Sequence, residues 1–156
     1  MTIPTSKCFA AYPHGTDYEW YASDAVGHVA VFTTAGIGPM PVTVLGDLPL
    51  TDSLILAVQR LPVRGHAIML VSLPRPDDFI RFTSRGLFAY DWQDVHRTRG
   101  FSNHYEMLSR PDAPIHLSEF PEEFHPLLRS TALPGVRFAD SLTIDARRFF
   151  RCEPAA

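Results

Sequence analysis

The stretch DYEWYASDAVGHVAVFTTAGIGPMPVTVL, residues 17–45, decides the fold. Residues 18–23 and 28–34 are rich in Tyr, Trp, Val, Phe and Thr, side chains that fit a pleated surface. Between them stand Asp24, which can hydrogen-bond its own backbone, and Gly27, which tolerates a positive φ. The pattern predicts a β-hairpin with a short loop. In the second strand Val29, Val31 and Thr33 alternate with His28, Ala30, Phe32 and Thr34. Both sets are largely apolar, so the strand is expected at the centre of a sheet, covered on both faces, with Trp20 buried beside it. Residues 35–39 (AGIGP) interrupt the pairing, and residues 41–45 offer a third strand of a β-meander.

Helical spacing is clearest at residues 50–61, where Leu54, Ile55, Val58 and Leu61 recur and Thr51 or Asp52 is placed to cap. Residues 66–73 carry the continuous run Ile68, Met69, Leu70 and Val71 and predict a buried strand. Pro76, Asp77 and Asp78 open a short helix over 77–84 with Phe79, Ile80 and Phe82 inward. Strands are expected at 86–92, 104–108, 136–139 and 141–144, a short extended stretch at 115–117, and a helix at 118–130 with Ser118 or Pro121 near its start and Pro126 to kink or shorten it. Residues 1–15 read as an irregular lead-in, 97–103 as an exposed loop, and 153–156 as a frayed tail. The fold class is therefore α+β: one domain over residues 1–156, a mostly antiparallel β-sheet with two or three short helices.

The 156 residues contain 17 acids against 14 basic side chains, a formal net charge of −3 that argues against a general nucleic-acid binder. The acids are unevenly spread: residues 1–60 hold Asp17, Glu19, Asp24, Asp47 and Asp52 against Lys7 and Arg60. An acidic portion of this kind steers basic partners. Cys8 and Cys152 stand near opposite ends, too far apart in sequence for a disulfide framework, and are expected as free thiols. The first eleven residues show no apolar signal-peptide core, and no apolar run approaches the roughly 18 residues of a membrane span. A cytoplasmic setting is expected.

Catalytic signatures are lacking. The seven histidines show no i,i+2 or i,i+4 pair, and HExxH, CxxC and GxSxG are all missing. Gly36 and Gly38 begin a glycine-rich pattern that Pro41 breaks. No metal, no cofactor and no enzymatic activity are expected. What remains is a set of aromatic and acidic side chains typical of a protein-binding patch: Asp17, Glu19, Trp20, Tyr21, Asp24, Tyr90, Asp91 and Trp92. Trp20 and Trp92 also suit a core. The alternative is a small enzyme or ligand-binding domain with a pocket beside the sheet.

Residues 20–36 (WYASDAVGHVAVFTTAG) fit W-x-x-x-D-x-x-G-x-[VL]-A-x-F-T-[ST]-x-G. Together with GLFAYDW at 86–92, PIHL at 114–117 and a helix start at Pro121, this resembles small bacterial immunity proteins of the polymorphic-toxin type, and more distantly the SMI1/KNR4-like group. The resemblance implies a non-catalytic protein that covers or holds inactive a cognate toxin, one expected to present a basic surface. It carries over no catalytic residues, because such proteins need none.

Overall fold

The computed structural model describes residues 15–92 and 104–145. The lead-in up to residue 14, the 97–103 loop, the tail from 146 onward and both cysteines lie outside the described residues.

The hairpin forms as its sequence predicts. Strand β1 (Glu19–Ser23) runs antiparallel to β2 (Val29–Thr33), in register from Glu19↔Thr33 to Ser23↔Val29. Gly27 closes the loop at φ 84°, and a Cβ there would lie 2.1 Å from Nε2 of His116. Both a left-handed backbone and a close approach therefore demand glycine. Trp20, Val29, Val31 and Phe32 are all 0% exposed, and β2 is buried along its whole length.

The meander ends there. Residues 41–45 form the single-turn helix α1 (Val42–Leu45) and not a third strand. Pro41, with φ −60°, stands at the N-cap, and the turn closes at the C-cap through Gly46 N–H on the Val42 carbonyl and Asp47 N–H on the Val44 carbonyl. Val44 and Leu45 then pack on the sheet as helical residues, which overrides their β preference. The second neighbour of β2 is β4 (Phe88–Trp92), which pairs with it in parallel from Ala30↔Phe88 to Thr33↔Asp91. A parallel neighbour requires a crossover, and residues 34–87 supply it.

That crossover holds α2 (Leu48–Gln59), β3 (Ala67–Met69) and α3 (Asp77–Ser84). Asp47, not Thr51 or Asp52, caps α2, accepting from the Leu50 N–H at 3.2 Å. Thr51 is buried one turn on, and its hydroxyl returns to the Asp47 carbonyl. The run expected as a buried strand over 66–73 keeps only three residues in the ladder. They lie at the sheet edge with Ile68 38% exposed. In α3 Phe82 is buried and Phe79 partly buried, while Ile80 turns outward, because a helix of eight residues cannot point both 79 and 80 at one core.

Strand β5 (His104–Pro111) pairs antiparallel with β4, with a bulge beside Ala89 and Tyr90, and runs three residues beyond the expected 108. Its far edge carries β3 at one end and β6 (Thr143–Asp145) at the other. The sheet is thus six-stranded and mixed, mostly antiparallel, in order β1-β2-β4-β5-β3 with β6 on β5. With its helices it is an α+β fold.

The helix expected over 118–130 is broken into 3-10 turns at Leu117–Glu119 and Glu122–Phe124, followed by α4 (His125–Ser130). Pro121 and Pro126 lack the N–H that a continuous helix needs. His116, not Ser118, caps the first turn, accepting from Ser118 N–H through Nδ1. Residues 136–139, expected as a strand, instead enter a 3-10 turn at Phe138–Asp140, drawn in by a bond from Phe138 N–H to Asp24.

Two cores cover the sheet. On one face Trp20, Phe32, Tyr90 and Tyr105 pack with α1 and the 133–144 segment. Trp20 stacks on Phe32 at 4.3 Å and Phe32 on Tyr90 at 5.0 Å, with Phe138 tilted against the row. On the other face Tyr21, Val31 and Ala89 pack with Leu54 and Val58 of α2, Phe82 of α3 and the apolar side of α4.

Candidate partner-binding surface

The eight side chains singled out from the sequence separate into three places. Trp20, Tyr21, Tyr90 and Trp92 lie in the cores, at 0, 1, 0 and 8% exposure. Their exposure as contact residues is corrected: the rings fill space between sheet and cover, and their polar atoms are used internally. Trp20 Nε1 donates to Tyr105 Oη at 3.2 Å, and that hydroxyl donates to the Pro39 carbonyl. Tyr90 Oη donates to the Ser141 carbonyl, and Tyr21 Oη to Glu19 Oε2 at 3.1 Å. Burial pushes the Tyr21 and Tyr90 hydroxyls well above the ordinary tyrosine range.

Asp24 is also buried, at the loop end of β1. Its Oδ1 accepts from Val26 and His28 N–H, at 3.0 and 2.9 Å, and its Oδ2 from Phe138 N–H at 2.9 Å. A carboxylate accepting three backbone bonds is a structural tie between the hairpin and the 3-10 turn after Arg137.

Asp17, Glu19 and Asp91 keep access to solvent. Asp17 is exposed and accepts from Ala35 N–H at 2.9 Å, which fixes it beside the strand entry. Glu19 opens β1 and Asp91 lies near the end of β4, linked through Thr33 on β2, whose hydroxyl donates to Asp91 Oδ1 at 2.6 Å. Register extends this link into a row across the helix-covered face: Glu19↔Thr33, Thr33↔Asp91, Asp91↔Glu106, Glu106↔Thr143. Directly opposed residues sit roughly 5 Å apart at Cβ, so polar side chains follow one another along this end of the sheet.

Around Glu19 the fold gathers acids far apart in sequence. Asp52 of α2 accepts from Tyr18 Oη, and Asp78 stands in the first turn of α3. Burial first, and then the Asp52 bond and the charges of Asp52 and Glu19, push the Tyr18 hydroxyl far above its ordinary range. Burial also raises the Glu19 carboxyl. The hydrogen bond from Tyr21 and the charge of Arg81 oppose the rise, and the charges of Asp17 and Asp78 add to it. Asp17, Glu19, Asp52 and Asp78 therefore form one negative end of the molecule. Arg81 is tied to Asp78 at 3.5 Å on its margin. A cleft of about 60 Å³ opens beside Glu19, between α2 and α3. Among the described residues no group of three or more His, Cys, Asp or Glu is arranged to hold a metal ion. None of the described helices is long and apolar enough to cross a membrane.

Thr33, Asp78, Arg81 and Glu106 were not singled out for the site from the sequence, and Asp52 was counted only among the acids of residues 1–60 and as a cap. Asp78 was legible as a helix first-turn acid, but its approach to Glu19 depends on the crossover, which local patterns do not reveal. No protein-family model, curated protein or solved structure matches the chain.

Proposed function

We propose that the chain is a non-catalytic, cytoplasmic binding protein of the immunity type, which neutralises a cognate toxin by docking its negative end on a basic surface. One observation carries this reading: Asp17, before β1, and Asp78 of α3 lie close enough to Glu19 for their charges to raise its carboxyl, and Asp52 of α2 and Glu19 both act on the Tyr18 hydroxyl between them. Like charges brought together raise the cost of the folded state, and a basic partner relieves it while gaining a steered encounter. Among the eight residues first singled out, Asp17, Glu19 and Asp91 are the ones that can touch such a partner. Trp20, Tyr21, Asp24, Tyr90 and Trp92 hold the surface from behind. Toxins that act on nucleic acid or nucleotides commonly present basic clefts of the required sign.

The test is Asp17→Lys/Asp78→Lys, checked by thermal melt for an intact fold and expressed with the product of the neighbouring gene. Association at low salt is expected to slow at least about tenfold and to lose most of its salt dependence, with protection of the cells reduced. A folded double variant that associates and protects like the parent overturns the reading, as does a neighbouring product that is harmless on its own.

A further inference from the structure

The cleft beside Glu19 is built from more than acids. Glu19 of β1 forms part of its lining, Val58 of α2 and Phe82 of α3 supply apolar wall, and Asp78, Arg81 and Arg85 line the remainder. The two arginines are already committed. Arg85 donates through Nε to the Leu61 carbonyl at 2.8 Å and through Nη1 to the Arg81 carbonyl at 3.0 Å, and Arg81 is paired with Asp78. Glu19 is not matched in the same way. Its half-buried carboxylate accepts a single hydrogen bond, from Tyr21 on Oε2, although a carboxylate has acceptor sites for about four. The cleft thus pairs an under-used anion with an apolar wall that suits a methylene stem, in a volume of about 60 Å³, room for one cationic head and well below a common small-molecule site.

We propose that this cleft receives one guanidinium or ammonium head from a side chain of the partner protein, with Glu19 as the receiving carboxylate. The inference rests on the partner-binding reading above for the source of that side chain, and on the cleft alone for its chemistry. Arginine fits best, because a planar fork can bond Glu19 while its stem lies along Phe82 and Val58. The direction of the Glu19 titration agrees: burial, with Asp17 and Asp78, outweighs the Tyr21 bond and the Arg81 charge and leaves its charged form at a disadvantage that an inserted cation would reduce.

The probe is N-acetylarginine N-methylamide, an arginine residue without charged ends, titrated into the protein while the Glu19 carboxyl carbon and the Phe82 ring are followed by NMR. Its citrulline counterpart, of similar shape without the charge, is the control. A saturable change at both positions is expected, with citrulline at least about tenfold weaker. Glu19→Gln keeps an oxygen for the Tyr21 hydroxyl and is expected to abolish saturation. The unmodified protein gives a second measurement: binding should fall away as Glu19 itself protonates, read at its own carbon because Asp17, Asp78 and Arg81 also face it. Equal binding by citrulline, equal binding by Glu19→Gln, or non-saturating shifts at Glu19 would overturn the proposal. The probe needs no partner protein, so failure of the toxin reading leaves this titration unchanged. Failure of the titration in turn leaves the association test of the negative end standing.

Discussion

Asp24 and Glu19 flank the same strand, one just past the last residue of β1 and one at its first, and the fold treats their carboxylates in opposite ways. Asp24 is buried and answered by three backbone N–H groups from two segments. Glu19 is half-buried, answered by one tyrosine hydroxyl, and crowded by other acids. A buried charge persists when its hydrogen bonds are complete. By that criterion the Asp24 end is finished architecture, whereas the Glu19 end retains unused acceptor capacity toward solvent. The contrast teaches that acids within one hairpin, indistinguishable in composition, divide into a structural tie and a carboxylate with acceptor sites left open once their donors are known.

The largest expected effect breaks the finished end. Asp24→Ala leaves the Val26, His28 and Phe138 N–H groups without their acceptor, at about 1–3 kcal/mol for each buried group that water cannot reach. A loss of about 3 kcal/mol or more is expected, and at this chain length a fall in Tm of roughly 10 °C. Urea denaturation showing a loss below about 1 kcal/mol would mean that the tie is dispensable. Next in size is Gly27→Ala, in the same loop. The new methyl meets the His116 ring and must adopt φ 84°, so about 1–3 kcal/mol is expected, read by the same denaturation. Relaxing the steric part alone with Gly27→Ala/His116→Ala should recover some of that loss.

These two residues also mark how much was readable in advance. The hairpin, its Asp24 and Gly27 turn, the central position of β2 and the helices expected over 50–61 and 77–84 follow from local chemistry: β-branched alternation, an Asx turn and an apolar stripe; the first of these helices begins two residues earlier, at Leu48, because Asp47 and not Thr51 or Asp52 caps it. What local chemistry cannot convey is which strand comes next to β2. Pairing with β4 is non-local and parallel, and it lays Thr33 beside Asp91 and so aligns the polar row. Residues 41–45 looked like a strand because Val, Thr and Leu suit one, but Pro41 and Gly46 bound a single helical turn. Trp20, Tyr90 and Trp92 resembled contact residues because interfaces and aromatic cores draw on the same side chains, and only burial distinguishes the two.

A smaller effect bears on the negative end without disturbing the fold. Asp52→Asn keeps an acceptor for Tyr18 but removes the charge that adds to the rise of its hydroxyl. Stability should move by less than about 0.5 kcal/mol, as for most exposed positions. The Tyr18 hydroxyl should titrate lower than in the parent, though still above its ordinary range because burial is the leading cause. Ultraviolet titration of the phenolate reads this directly, and an unchanged Tyr18 midpoint would detach Asp52 from the cluster.

The smallest effect is the pH response of Glu19, and its sign separates the two ends most sharply. Burial, with Asp17 and Asp78, raises the folded carboxyl above its ordinary value of 4.5, so the folded state holds the Glu19 proton more tightly than the unfolded chain does. Between the ordinary and the raised midpoint the folded protein binds more protons, and by linkage stability falls as pH rises through that window. The Glu19 contribution is favourable below the ordinary carboxylate range and is lost as pH climbs through the folded midpoint. Glu19→Gln removes the titration and keeps an oxygen for Tyr21, so the variant should be slightly more stable than the parent at pH 7 and gain nothing near pH 3.5. Glu119 provides an internal counterexample. The His116 N–H and the Arg64 guanidinium hold its carboxyl below the ordinary range, so its contribution is present at neutral pH and fades on acidification. Denaturation of the parent, Glu19→Gln and Glu119→Gln across pH 3.5 to 7 should therefore give difference curves of opposite slope. If the Glu19→Gln advantage grew on acidification, or if both curves sloped alike, Glu19 would be a satisfied carboxylate like Asp24, and the strand would have no open end.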